Sequence, residues 1–245
     1  MIPMKEKKLK KLLEVEGAVY FTDEGGNIYV EKGSTRHVLS IFDKHLYKLR
    51  VFNGIPILEI DGLRMHLVKE FRTPLDYSKE IVRKLGIKSG DTVLDTCTGL
   101  GYTAIEASKK SARILTFEIS ASVLELAEWN PWSEKLFSKK IEIKPGDIAK
   151  EIKNLDNNSF SAIIHDPPRF SRAPGLYSKN FYKELYRIAK PGARIFHYVG
   201  SVGRGKGRKI AEKVEKKLKQ AGFTSIKYDK KLQGLFFKKQ AAPRR

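Results

Sequence analysis

Two textures of apolar and polar positions divide the chain near Thr73. From residue 18 to about 70, short runs of alternating or β-branched apolar residues are interrupted by turn dipeptides. Gly25-Gly26 follows AVYFTDE, Asn53-Gly54 joins LYKLRVF to IPILEI, and Asp61-Gly62 ends that strand. Alternation sends every second side chain to one face, and these dipeptides tolerate the positive φ of tight hairpins. The pattern predicts a small antiparallel β domain over residues 1–72.

From Thr73 the period lengthens. Thr73-Pro74 supplies an N-cap and a first-turn proline before the amphipathic LDYSKEIVRKLGI. Strands are predicted at 91–96, 112–119, 140–147, 160–166 and 193–200. Helices are predicted in GYTAIEASKK, SASVLELAEWN, NFYKELYRIAK and KIAEKVEKKLKQAG, and TSIKYDKK with GLFFKK predicts a closing hairpin. Apolar strands separated by amphipathic helices imply a sheet covered on both faces, so residues 73–245 read as an α/β domain with a basic C-terminal segment.

Charge adds a partner to this picture. The 245 residues carry a net charge of +20, and residues 201–245 hold 15 Lys/Arg against 3 Asp/Glu. A field of that sign and density draws a polyanion, and nucleic acid is the expected one. Arg204, Lys206 and Arg208 in the run RGKGRK are its candidate contacts. The single cysteine, Cys97, excludes an intramolecular disulfide and a multi-cysteine zinc site. No apolar run approaches a membrane span, and the charged start lacks the apolar region of a signal peptide, so a soluble cytoplasmic protein is expected. The pattern sets no oligomeric state and is compatible with a monomer.

The first strand of the α/β part runs into VLDTCTGLGYTA, where Asp95, Gly99 and Gly101 occupy a strand-to-helix turn. Glycines there let a ligand approach the backbone at the carboxyl end of the sheet. Gly99 to Ala104 also fits the dinucleotide pattern G-x-G-x-x-A, which keeps an NAD(P)-dependent oxidoreductase open. Against it stands Asp95, which would repel a pyrophosphate. Glu118 ends the second strand, 23 residues after Asp95, where it can accept from ribose hydroxyls, and Gly146-Asp147 ends the third.

This ordered set resembles the class I S-adenosylmethionine-dependent methyltransferases over roughly residues 75–240. The resemblance implies a Rossmann-like methyltransferase sheet with S-adenosylmethionine as cofactor. It further implies that Asp95, Cys97, Gly99 and Gly101 hold the methionine part, Glu118 and Ile119 the ribose, and Asp147 and Ile148 the adenine. Cys97 stands where the family pattern usually has its first glycine.

HDPPRFS ends the fourth strand. It resembles the (D/N/S)-P-P-(Y/F/W) motif of methyltransferases acting on exocyclic base amines, and more distantly archaeal enzymes that methylate cytidine N4 in rRNA. Such an amine is a poor nucleophile because its lone pair is delocalised into the ring. Asp166 and the Pro167 carbonyl can accept its two N–H bonds and favour a pyramidal nitrogen, while Pro168 stiffens the turn. Arg169 replaces the motif's aromatic, which leaves Phe170 as the stacking candidate with Tyr102 or Tyr198 as substitutes, and Arg169 to stack or hold a phosphate.

The first expectation is therefore methyl transfer to cytidine N4 of rRNA, with adenosine N6 second. Carbon-5 pyrimidine chemistry shares the D-P-P-R motif but attacks with a cysteine, and none lies near that loop. A non-catalytic RNA-binding protein and a polyamine-forming aminopropyltransferase remain as other classes, the latter opposed by the positive charge. His165 and His197 end neighbouring strands without a third metal ligand, so no metal is expected and His197 is assigned to substrate. Trp129 and Trp132 are expected to pack near the adenine side.

Overall fold

The computed structural model describes residues 9–110, 113–200 and 206–241, with side chains from 210 onward in the last segment. The antiparallel strands expected in the N-terminal part form two sheets. β1 (Lys10–Val15), β2 (Ala18–Thr22), β3 (Ile28–Lys32) and β4 (Thr35–Val38) make one, in sequence order. β5 (Ser40–Asp43), β6 (His45–Phe52), β7 (Ile55–Ile60) and β8 (Leu63–Arg64) make the other. The hairpin dipeptides behave as their chemistry requires: Asn53 and Gly54 have φ of 48° and 81°, Asp61 and Gly62 of 49° and 76°. Two consecutive positive φ values are the mark of the type I′ turn, whose twist matches the strands it joins. β1 was missed because its pairing shifts between Lys11 and Leu13, which breaks the alternation a strand shows in sequence.

Thr73 caps α1 (Pro74–Leu85) as expected. Its hydroxyl accepts from the Asp76 N–H and the Asp76 carboxylate accepts from the Thr73 N–H, a reciprocal box that satisfies two otherwise orphaned donors. Gly86, at φ 62°, closes the helix in the left-handed region.

The rest of the chain builds one mixed sheet of seven strands: β9 (Thr92–Asp95), β10 (Arg113–Glu118), β11 (Ile141–Pro145), β12 (Phe160–His165), β13 (Ala189–Tyr198), β14 (Thr224–Asp229) and β15 (Gly234–Lys238). Their spatial order is β11-β10-β9-β12-β13-β15-β14, with β15 antiparallel to both its neighbours and the first five strands parallel. β13 begins before the predicted residue 193. Its partner register on β12 jumps between Phe160 and Ala162, so Lys190-Pro191-Gly192 enters as an irregularity no alternation would reveal.

Alternation along these strands feeds two cores. Val93, Ile164 and Phe196 join an apolar cluster with α1, α2 (Tyr102–Ser108) and α3 (Ala121–Glu128), and that cluster continues into Tyr20, Val30, Leu49 and Leu58 of the N-terminal sheets. Leu94, Ile163 and Ile195 point the other way, against α5 (Lys179–Ile188) and α6 (Lys206–Ala221). α4 (Ile148–Glu151) follows β11. The chain runs outward from β9 to β11 and then returns to β12 on the far side of β9. That reversal opens a crevice at the carboxyl ends of the central strands, the place where open α/β sheets bind ligands.

Candidate active site

A cavity of about 410 Å³ occupies this crevice. Residues 96–103, Glu118, Ile119, the stretch 146–149 and Asp166 to Pro168 all line it, as do Leu58, Ile60, Met65 and His66 from the N-terminal part. The sheet thus brings together four segments that are far apart in sequence, in the strand order their motifs suggested.

The glycine turn is shaped for close approach. Gly101 has φ 75°, and a Cβ there would lie 2.6 Å from a methyl carbon of the buried Leu136. Gly99 has φ 53° and meets no atom within 4 Å of its Cβ position. Gly101 therefore keeps the turn packed against the protein, and Gly99 keeps it bare toward the cavity. Behind the turn Asp95 is fully buried. Its Oδ2 accepts from the Thr116 hydroxyl at 3.2 Å and from that of Thr103 at 3.5 Å, while Oδ1 has no partner. Burial, with the charge of Asp166 nearby, pushes the Asp95 pKa well up. The Cys97 backbone N–H draws that pKa down in part, so the turn itself supplies this carboxyl with a donor.

Glu118 already accepts from the Gly99 N–H at 2.9 Å and from the Ser120 N–H at 3.0 Å, which clamps the turn to the end of β10. Each carboxylate oxygen keeps a lone pair for a further donor. Asp147 caps α4 through the Ala149 N–H at 2.9 Å, Ile148 is buried beneath it, and Ile119 is 71 % exposed at the cavity wall. Cys97 lines the same cavity, and burial beside Glu118 holds its thiol far from ionisation.

Asp166, Pro167 and Pro168 stand at a partition. The two prolines, with Met65 and His66, also line a second cleft of about 560 Å³ on the other side. Arg169, Phe170, Tyr198, Arg64 and Lys69 line that cleft, and no carboxylate does among the described residues. Burial raises the Asp166 pKa from 3.8 to about 7. The Pro168 carbonyl accepts from the Tyr177 hydroxyl at 3.0 Å, whereas among the described residues none donates to the Pro167 carbonyl. Phe170 is 44 % exposed and meets Tyr177 edge-on at 5.5 Å between ring centres.

Several expectations need correction. His197 is fully buried: it donates from Nδ1 to the His165 carbonyl at 3.3 Å and accepts at Nε2 from the Tyr182 hydroxyl at 2.9 Å, so it touches no substrate. His165 is likewise buried, donating to the Leu176 carbonyl and accepting from Thr96, and burial lowers its pKa to about 3. Both imidazoles are neutral braces under the Asp-Pro-Pro turn. Tyr102 is buried too, its hydroxyl donating to the Pro56 carbonyl at 2.8 Å, so it cannot stack on a base. Trp132 packs on the main core, as expected of it, Trp129 is half-exposed, and neither lines the crevice. Arg204 lies outside the described residues, and the side chains of Lys206 and Arg208, at the start of α6, do also.

Three lining residues escaped the sequence analysis. Tyr77 lies on the inward face of α1 with Ile81 and reads as core, yet its buried hydroxyl makes no hydrogen bond of normal geometry. It is still close enough to Asp166 to draw that acid's pKa down in part. His66 receives the Leu58 N–H at Nδ1, 3.2 Å away, and lies against Tyr102. Arg172 lines the cavity while donating to Asp61 at 3.1 and 3.2 Å, which ties the β7–β8 hairpin to the loop after the prolines. Only the fold brings residues 61 and 172 together.

Residues 125–234 match the model of a family described as S-adenosyl-L-methionine-dependent methyltransferase. Protein MJ1233 of Methanocaldococcus jannaschii is 43 % identical over 220 residues, which is 89 % of this chain and 73 % of that one. Over residues 125–234 the chain thus carries the sequence of an S-adenosyl-L-methionine-dependent methyltransferase. Over 91 residues the methyltransferase is also 31 % identical to the 23S rRNA (uracil(1939)-C(5))-methyltransferase RlmD of Legionella pneumophila, covering 37 % of this chain and 20 % of that enzyme. A solved spermidine synthase, in complex with the transition-state analogue AdoDATO, superimposes with a TM-score of 0.70 at 15 % identity. That match covers 97 % of this chain and 85 % of the other, so the likeness of fold extends through the N-terminal sheets. Among the described residues of the methyltransferase no helix is long and apolar enough to cross a membrane, and no group of three metal-ligating side chains forms.

Proposed function

We propose that this methyltransferase acts on an exocyclic amino nitrogen of a base in RNA, with cytidine N4 in rRNA as the first assignment and adenosine N6 as the second. The observation that carries the reading is the partition at Asp166-Pro167-Pro168. On one side is the crevice lined by the bare Gly99, Glu118 and Asp147, with Asp95 buried behind its turn; on the other is a cleft of cations and aromatic rings that no carboxylate lines among the described residues. In this reading residues 1–72 are a small domain that closes the site from above, and residues 73–245 are the catalytic domain.

S-adenosylmethionine supplies an electrophilic methyl group on a sulfonium. Asp95 and the 97–101 turn would hold its methionine part, Glu118 and Ile119 its ribose, and Asp147 and Ile148 its adenine. The acceptor amine donates one N–H to Asp166 and the other to the free Pro167 carbonyl, which turns the nitrogen lone pair toward the methyl carbon. As the carbon–nitrogen bond forms and the carbon–sulfur bond breaks, the nitrogen becomes acidic. A carboxyl group with a pKa near neutrality can then take the proton, directly or through water, and release it to solvent.

The cleft favours this over the neighbouring chemistries. Carbon-5 methylation needs a thiolate at the base. Cys97 lines the cofactor crevice, not the cleft, and burial keeps it protonated. A polyamine acceptor needs carboxylates where Arg64, Lys69 and Arg169 stand. Incubation of RNA with methyl-labelled S-adenosylmethionine, and of putrescine with decarboxylated S-adenosylmethionine, separates methyl transfer from aminopropyl transfer, and digestion of the RNA to nucleosides separates nitrogen from carbon-5 products. Methyl label on an exocyclic nitrogen of RNA is expected; spermidine formed from putrescine with no label in RNA, or label at carbon 5, would contradict the reading.

A further inference from the structure

The wall of the acceptor cleft opposite the Asp-Pro-Pro loop comes from the N-terminal part of the chain. It is the strip from Arg64 to Lys69, which joins β8 to α1. The strip is anchored at its centre. The Met65 N–H donates to the Leu58 carbonyl at 2.9 Å, His66 accepts from the Leu58 N–H, and Met65 and Leu67 pack on the main core. Its two ends are left cationic and exposed. Other arginines of these sheets have acidic partners, Arg36 with Glu31 and Arg50 with Glu59. Among the described residues neither Arg64 nor Lys69 is paired with a carboxylate.

Two cations without a carboxylate partner among the described residues, on a strip anchored at its centre and lining a cleft that also offers Arg169 and the rings of Phe170 and Tyr198, fit an anion attached to a flat ring. We propose that the strip 64–69 is a phosphate-binding wall: Arg64 and Lys69 hold the backbone on either side of the target nucleotide while its base lies against Phe170 or Tyr198. The N-terminal sheets are then part of the acceptor site. This rests on the reading of the substrate as RNA.

The test uses the full chain and a short single-stranded RNA of mixed sequence, with binding followed by fluorescence anisotropy across a salt series. The Arg64→Gln/Lys69→Gln variant should bind about tenfold or more weakly, and its slope of log K against log salt should shrink by about 1.4, from two phosphate contacts at about 0.7 each. A matched loss of charge at Lys139→Gln/Lys140→Gln, at the opposite end of the sheet, should leave both nearly unchanged. S-adenosylmethionine affinity, measured by calorimetry, should stay at the wild-type value in both variants. Unaltered affinity and slope in the first variant, equal losses in the two, or no RNA binding by the wild type would each overturn the proposal. If the wild type methylates RNA and the first variant keeps its KM, the phosphate wall falls while the assignment of the reaction stands. If RNA binding depends on the strip but no methyl group reaches the RNA, the wall stands and the assigned reaction falls.

Discussion

Asp166 is where burial and chemistry meet. Its folded pKa near 7 lies well above the ordinary 3.8, so the folded state holds the proton over a range where the unfolded chain has lost it. Between about pH 4 and pH 7 the acid therefore costs stability as pH rises, and above pH 7 that cost is complete. Asp166→Asn should raise the melting temperature at pH 8 more than at pH 5, as differential scanning fluorimetry would show; a larger gain at pH 5 would reverse the sign argued here. In kinetics the same group should give kcat/KM for RNA a limb that rises through neutrality, and the variant should lack it. Tyr77 offers a second check. Its hydroxyl, buried beside Asp166 without a hydrogen bond of normal geometry, fits a role in fixing the carboxylate or the amine, so Tyr77→Phe should lower kcat about tenfold or more while the thermal midpoint holds or rises. Unchanged kcat would return Tyr77 to the core. Asp166 could be found in sequence because proline chemistry marks its turn. Tyr77 could not, because a tyrosine spaced four residues from Ile81 on an amphipathic helix looks like packing.

At the scale of elements, legibility followed the physics of each segment. Hairpins with Asn-Gly and Asp-Gly turns, the Thr73 cap and the buried parallel strands were readable because local chemistry alone determines them. β1 and the early start of β13 were hidden by register irregularities, and the burial of His197 by strand pairing that sequence does not display. The two glycines of the turn after β9 can be told apart by experiment. Gly101→Ala adds left-handed strain of about 1–2 kcal/mol to overpacking against Leu136 of about 1–3 kcal/mol, so its urea midpoint should fall, and Leu136→Ala should cost less in the Gly101→Ala background than in the wild type. Gly99→Ala meets open space and should cost only the backbone strain, yet weaken S-adenosylmethionine binding tenfold or more by intruding on the cavity. If Gly99→Ala bound the cofactor normally, the bare face of the turn would have no purpose in this site.

For the whole molecule, a net charge of +20 and a cleft that no carboxylate lines among the described residues support the proposed RNA substrate, and the partition at the prolines supports the proposed amine methylation. The charge was legible from composition; the cleft was not, because its walls come from residues 64–69, 167–171 and 198–200, which only the packed N-terminal sheets bring face to face. The most direct test of the central claim is to incubate rRNA with S-adenosylmethionine and the wild-type protein or Asp166→Ala, digest it to nucleosides and identify the methylated product by mass spectrometry. Methyl groups on an exocyclic nitrogen, first of all cytidine N4, with the product lost in the variant, are predicted. Methylation at carbon 5, or undiminished product from Asp166→Ala, would contradict it.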